Sequence, residues 1–129
     1  MEDQKKGPIE EVVRGKYIIQ GKEHSQEGEK KGAGKDIRII GTEVSEWKER
    51  TGHILRPEMI TGVFGIGIEA LVIGTGFDGA IEVKKETIEE IRDYGIRDII
   101  IEKTPDACKK YNELYVKGVK VAMLAHGTC

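Results

Sequence analysis

Ala70-Leu71-Val72-Ile73-Gly74-Thr75-Gly76-Phe77-Asp78-Gly79 decides the fold. Its first four residues are a short continuous apolar run, the pattern of a strand buried on both faces. Its last six match G-x-G-x-x-G, the dinucleotide-binding fingerprint. That fingerprint needs a helix opening within the glycines, so that free main-chain N–H groups and the helix dipole meet a pyrophosphate, and an acidic residue about 20 positions on for the ribose. Asp98 lies 19 residues after Gly79 and Glu102 closes the next strand, so the acid has candidates. The helix does not. Ala80-Ile81-Glu82-Val83 alternates and reads as extended, and an apolar helical pattern begins only near Glu86, seven residues after Gly79. The stretch is expected to be a sharp turn closing a buried strand. The alternative keeps Gly74, Thr75, Gly76, Asp78 and Gly79 as a backbone-amide cradle for phosphate, carboxylate or nucleotide.

Downstream, helix and strand alternate. Glu86 to Tyr94 sets Ile88 and Ile91 on one face, and Gly95 follows as a left-handed C′ residue with Ile96 folding back onto it. Asp98 to Ile101 predicts a second buried strand. Thr104 is expected to N-cap a helix with Pro105 at its first position, and Ala107, Tyr111 and Leu114 form its apolar stripe. Gly118 ends that helix, and Val119 to Leu124 predicts a third strand. Strands joined by crossovers of helical length favour parallel pairing.

Upstream the chain reads as hairpins. Val12 to Ile19 leads to Gly21-Lys22, Ile37 to Ile40 resumes a strand and Val44 to Trp47 adds another. Residues 1–8 are expected to be a frayed tail. Residues 22–35, KEHSQEGEKKGAGK, hold one small apolar residue and are expected to be a mobile loop in a single domain spanning 9–129. The fold class is α/β with a mixed sheet, and no internal repeat is present.

The chain has 129 residues, with 21 Lys+Arg against 23 Asp+Glu and a net charge of −2. That balance argues against nucleic acid or an anionic membrane as partner. No apolar run approaches 18 residues, and the polar start MEDQKKG is unlike a secretory or mitochondrial leader, so the expectation is a cytoplasmic protein. Fifteen Lys, 17 Glu and 18 Ile against three Gln and one Asn suggest a hot habitat. Cys108 and Cys129 are too few for a disulfide framework, and no Cys-x-x-Cys occurs.

Two further constellations could carry chemistry. His126-Gly127-Thr128-Cys129 compresses an imidazole, a hydroxyl and a thiol into four residues. It is a frayed or docked terminus, a metal site short of the three or four ligands required, or a thiol site of His126 and Cys129 whose local sequence lacks a third group to orient the base. Trp47 and His53 bracket a mixed charge cluster that includes Lys48 and Arg50. Trp47 is either buried scaffold or a partner-binding anchor, and Arg56 with Lys48 and Arg50 forms a solvated face or a small-anion site. G-x-S-x-G, H-E-x-x-H, the P-loop and the EF-hand loop are all absent. No catalytic residue, metal ligand or cofactor is assigned.

Trp47-x-x-x-x-Gly52-His53, Leu71-Val72-Ile73-Gly74-Thr75-Gly76, Thr104-x-x-Ala107-x-x-x-Tyr111-Asn112-x-Leu114, Gly118-x-x-Val121 and His126-x-Thr128-Cys129 together resemble the archaeal Mth nine-three-eight-like domain family. That family also includes the animal adipogenesis-associated domain protein and mitochondrial complex I assembly factor three. The resemblance spans about residues 9–129. It implies a three-layer α/β domain with a central mixed sheet and a non-Rossmann G-T-G turn. It implies no established activity, and it points to protein binding through the mitochondrial branch. The chain departs from the family pattern at Lys22 to Lys35, where a glycine-lysine hairpin usually runs directly into an Asp-containing strand.

The expected function is accordingly that of an uncharacterised protein, a non-enzymatic binding or assembly module with an unidentified protein partner. The alternative is a small-anion or nucleotide-binding protein, enzymatic or not, using the Gly74–Gly79 turn. Thiol chemistry at Cys129 ranks third.

Overall fold

The computed structural model describes residues 6–25 and 36–129. In chain order the strands are Ile9–Val13 (β1), Lys16–Ile19 (β2), Lys22–Ser25 (β3), Asp36–Ile40 (β4), Glu43–Glu46 (β5), Ile54–Leu55 (β6), Ala70–Gly74 (β7), Glu82–Val83 (β8), Asp98–Glu102 (β9) and Val121–His126 (β10). The helices are Lys85–Asp93 (α1) and Thr104–Val116 (α2), with a 3-10 turn at Pro57–Met59.

The central sheet runs β5-β4-β10-β7-β9. It is mixed: β10 pairs parallel with β7, β7 pairs parallel with β9, and β10–β4 and β4–β5 are antiparallel. β10 and β7 are buried throughout, as their continuous apolar sequences require. Their alternate residues feed two cores. Ala70, Val72, Val121, Met123 and Ala125 face α2 and the antiparallel sheet β1-β2-β3, meeting Tyr17, Ile19, Ala107 and Tyr111. Leu71, Ile73, Ala122 and Leu124 face α1 and the loops, meeting Trp47, Leu55, Val63, Ile81 and Ile91. Each fully buried Leu or Ile contributes about 1.5–3 kcal/mol. The result is three layers around a mixed sheet, as expected, with the two helices on opposite faces.

No helix opens within the glycine run. Residues 75–81 are irregular and α1 begins at Lys85. α1 closes as expected: Ile96 N–H donates to Ile91 O and Gly95 N–H to Arg92 O, with Gly95 at φ +99° where only glycine is unstrained. α2 ends with the same pair of bonds, Val119 to Leu114 and Gly118 to Tyr115.

Several expectations are corrected. The helical cap holds Val119, so β10 starts at Val121 and reaches His126, two residues beyond the expected end at Leu124. β9 is an edge strand with Ile101 37 % exposed, guarded by Asp98 and Glu102 at its ends, and is not a buried strand. Thr104 is the first residue of α2; Lys103 occupies the N-cap position without a side-chain cap bond, and the Thr104 hydroxyl is engaged elsewhere. Lys22–Ser25 pairs with β2, although its sequence was expected to lie in a mobile loop. Pro8 is buried and accepts the Gln20 N–H at 3.0 Å, so the end of the expected tail is docked. The remainder of those two expectations, residues 1–5 and 26–35, lies outside the described residues. No helix among the described residues is long and apolar enough to cross a membrane.

Candidate functional site

The carboxyl ends of β7 and β10 lie side by side, because the two strands are parallel and in register from Ala70–Val121 to Gly74–Ala125. In open α/β sheets this end is where ligands gather. The glycine turn leaves β7 there, and residues 127–129 leave β10 beside it.

The turn and the terminal segment bind each other. Phe77 N–H donates to Thr128 O at 2.7 Å, and Cys129 O accepts from Asp78 N–H at 2.9 Å and Ala80 N–H at 3.2 Å. Gly15 N–H, from the β1–β2 turn, holds Gly127 O at 2.7 Å. Gly76 sits at φ +102°, and a Cβ there would overlap the carbonyl carbon of Cys129. A glycine is required at this position both for conformation and for room. The other turn amides are also occupied: Thr75 N–H by Glu102 O, Gly79 N–H by Gly76 O, and Gly76 N–H by the Thr104 hydroxyl at 2.9 Å. That hydroxyl in turn donates to His126 O at 2.7 Å, which explains why it is unavailable as a helix cap. The two expectations for Gly74, Thr75, Gly76, Asp78 and Gly79 are thereby separated. The stretch is a tight turn, and its amides cradle the protein's own chain in place of an external anion.

Fixing residues 127–129 in this way positions a row of polar side chains. His126 is 2 % exposed and faces Asp36, its cross-strand partner at the start of β4. His126 Nδ1 lies 2.6 Å from Asp36 Oδ1. Arg50 donates its Nε–H to the other oxygen, Asp36 Oδ2, at 3.0 Å, and a terminal guanidinium nitrogen bonds to Gly52 O. With the carboxylate accepting from Nδ1–H, the neutral His126 ring presents Nε2 as an acceptor. Cys129 Sγ is 3.2 Å from that Nε2, and the Thr128 hydroxyl is also 3.2 Å from it. His53 Nε2 approaches the sulfur from the exposed side at 3.5 Å. Arg50, Asp36, His126, Cys129 and His53 are thus joined in one row, with His126 its most buried member and His53 at the surface.

Asp36 is the group that the terminal sequence lacks. It holds the imidazole in one tautomer and can stabilise the imidazolium that forms when Nε2 takes the thiol proton. Asp36 and Arg50 escape sequence reasoning: Asp36 is an isolated acid before an isoleucine-rich strand, and Arg50 lies in what reads as a solvated face. The usable signal is that a carboxylate opening a buried strand must find partners.

The second thiol has a different setting. Cys108 is 3 % exposed in the core on the other face of the sheet, and burial pushes it from 9.0 up to about 12. It is a packing residue. Trp47 is 2 % exposed and its indole N–H donates to Met59 O at 2.8 Å, so it is scaffold and offers no docking anchor. His53, paired with it in the expected partner surface, is exposed but joins the Cys129 row. No three His, Cys, Asp or Glu side chains among the described residues are arranged to hold a metal ion.

Comparison with known proteins places the chain in a family. A family described as "Protein of unknown function (DUF498/DUF598)" matches residues 12–126. A conserved hypothetical protein from Pyrococcus horikoshii OT3 is similar at 26 % identity and a TM-score of 0.76, covering 94 % of this chain and 98 % of that one. A protein from Bartonella henselae described as an outer membrane protein shares the fold at 21 % identity and a TM-score of 0.74, over 96 % of this chain and 97 % of that one. A Bordetella pertussis protein described as a Mth938-like domain shares it at 14 % identity and a TM-score of 0.62, over 98 % and 89 % respectively.

Proposed function

The chain belongs to the DUF498/DUF598 family of proteins of unknown function, Mth938-like in fold, and from that premise we propose that it is a reactive-thiol protein whose nucleophile is Cys129. The supporting observation is the contact chain Asp36–His126–Cys129, with separations of 2.6 and 3.2 Å. His126 Nε2 takes the proton from Sγ as the sulfur attacks an electrophile, and Asp36 holds the ring and the charge it acquires. Asp36 acts as a positioning residue: among the described residues its carboxylate bonds to the base and to Arg50. The four main-chain bonds on Gly127, Thr128 and Cys129 hold the sulfur in place, so little ordering is left for the reacting state.

A thiol site displaces the binding or assembly module from first place, since Trp47, the anchor expected of such a module, is buried. A reducing, cytoplasmic compartment fits two free cysteines. The test is the rate at which iodoacetamide alkylates Cys129, read from the mass of the C-terminal peptide. A His126→Gln variant should slow alkylation at least about tenfold, the lower end of what a positioned base contributes being larger still. Equal rates in the two proteins would overturn the proposal.

A further inference from the structure

The groups around the sulfur also narrow the class of electrophile, given the thiol reading of Cys129. Attack on a carbonyl builds an oxyanion, which needs preorganised N–H donors about 2.7–3.1 Å away. The amides of the glycine turn beside Cys129 are committed, and Gly127, Thr128 and Cys129 are bonded through their carbonyl oxygens. Those of Phe77, Asp78 and Ala80 donate to Thr128 O and Cys129 O, and those of Thr75, Gly76 and Gly79 donate to Glu102, Thr104 and Gly76. Beside the sulfur stand two imidazoles, His126 Nε2 at 3.2 Å and His53 Nε2 at 3.5 Å, with the Thr128 hydroxyl on the same His126 nitrogen. These groups carry and deliver protons.

Displacement at an O–O or S–S bond needs no oxyanion hole, but its two forms differ in the leaving group. A departing thiolate is stable near its ordinary value of about 8.5. Departing hydroxide must be protonated as it leaves, since water is a far weaker acid than a thiol. Two proton-carrying rings at the sulfur therefore match an oxygen leaving group. Their closeness to Sγ on both contacts also favours a small reactant.

We infer that Cys129 reduces small hydroperoxides. The Cys129 thiol gives its proton to His126 Nε2. The thiolate then attacks the terminal oxygen of ROOH, the S–O bond forms and the O–O bond breaks. The leaving RO⁻ takes the proton from His126, with His53 as hydrogen-bond donor to that oxygen. Cys–SH and ROOH thus become Cys–SOH and ROH, the sulfur losing the two electrons that the peroxide gains. Cys108, buried in the core on the far face of the sheet, cannot reach the product. Two equivalents of a low-molecular-weight thiol return the sulfenic acid to the thiol: the first forms a mixed disulfide and water, the second releases a disulfide and restores Cys129.

The experiment treats the reduced full-length chain with hydrogen peroxide and traps sulfenic acid with dimedone, reading the adduct by mass at Cys129 and Cys108. Iodoacetamide alkylation is measured in parallel. Cys129 should react with peroxide at least about 100-fold faster than free cysteine, within the range a proton-transfer group supplies. The exposed His53→Gln variant should lower the ratio of the peroxide rate to the alkylation rate about tenfold. If peroxide reacts with Cys129 no faster than with free cysteine while alkylation still depends on His126, the peroxide assignment falls and the reactive thiol stands. If alkylation is also indifferent to His126, both fall.

Discussion

His126 and Asp36 are 90 residues apart in sequence yet directly opposite on antiparallel strands, with Nδ1 and Oδ1 separated by 2.6 Å. Cross-strand register brings their side chains to one face of the sheet, at the end where β10 runs out into the thiol-bearing segment. Arg50 completes the pair from the loop after β5. An Asp36→Asn substitution keeps the shape but removes the charge and offers an amide that can donate to Nδ1. The ring should then flip its tautomer, and alkylation of Cys129 should fall at least about tenfold. The same change leaves Arg50, whose side chain is 10 % exposed, without its opposite charge, so the urea midpoint should also fall. The loss is roughly 3 kcal/mol, the low end for breaking a buried pair. A fall in stability with unchanged alkylation would leave Asp36 a structural role only.

Thr104 ties the glycine turn to β10 through its hydroxyl, which accepts from Gly76 N–H and donates to His126 O. Thr104→Val leaves that buried amide unpaired. Chemical denaturation should show a loss of about 1–3 kcal/mol. Thr104→Ser retains the hydroxyl and should recover most of it.

Gly76 and Gly95 have nearly the same φ, +102° and +99°, but different surroundings. A Cβ at Gly95 meets nothing within 4 Å, whereas one at Gly76 meets the Cys129 carbonyl group. Gly95→Ala should therefore cost only the left-handed strain, about 1 kcal/mol. Gly76→Ala should cost more and should displace residues 127–129, abolishing the His126 dependence of Cys129 alkylation. Equal effects of the two changes would show that the contact with Cys129 is unimportant.

Burial raises the thiol of Cys108 from 9.0 to about 12, and it also raises the phenols of Tyr17 and Tyr111. Each group keeps its proton in the folded protein at a pH where the unfolded chain has released it. The unfolded state then binds fewer protons, so stability is full below about pH 9 and falls as the pH rises further. The urea midpoint should decline from about pH 9 upward, and Cys108→Ala should make the decline shallower. A flat midpoint to about pH 11 would contradict the burial of these groups.

β7 was legible because Ala70 to Ile73 is apolar at every position, which a strand covered on both faces requires. α1 and its cap were legible because Ile88, Ile91, Gly95 and Ile96 are local. The turn was legible as a turn because no helical periodicity follows it before Glu86. The site itself was not legible. Asp36 meets His126 only through the register of two strands far apart in the chain, and no spacing rule encodes that contact. Thr104 looked like a helix cap because a cap is the local use of threonine; its actual partners come from two other elements. Trp47 carried no periodic context to settle its burial, and Met59 O, which satisfies its indole, is 12 residues away.

The most direct measurement is the nitrogen-15 NMR spectrum of the His126 ring in the reduced protein. The expected spectrum shows a proton on Nδ1, in hydrogen bond with Asp36, and an unprotonated Nε2 facing Cys129 that gains its proton when the thiol ionises. A neutral ring with its proton on Nε2 and Nδ1 bare would contradict it.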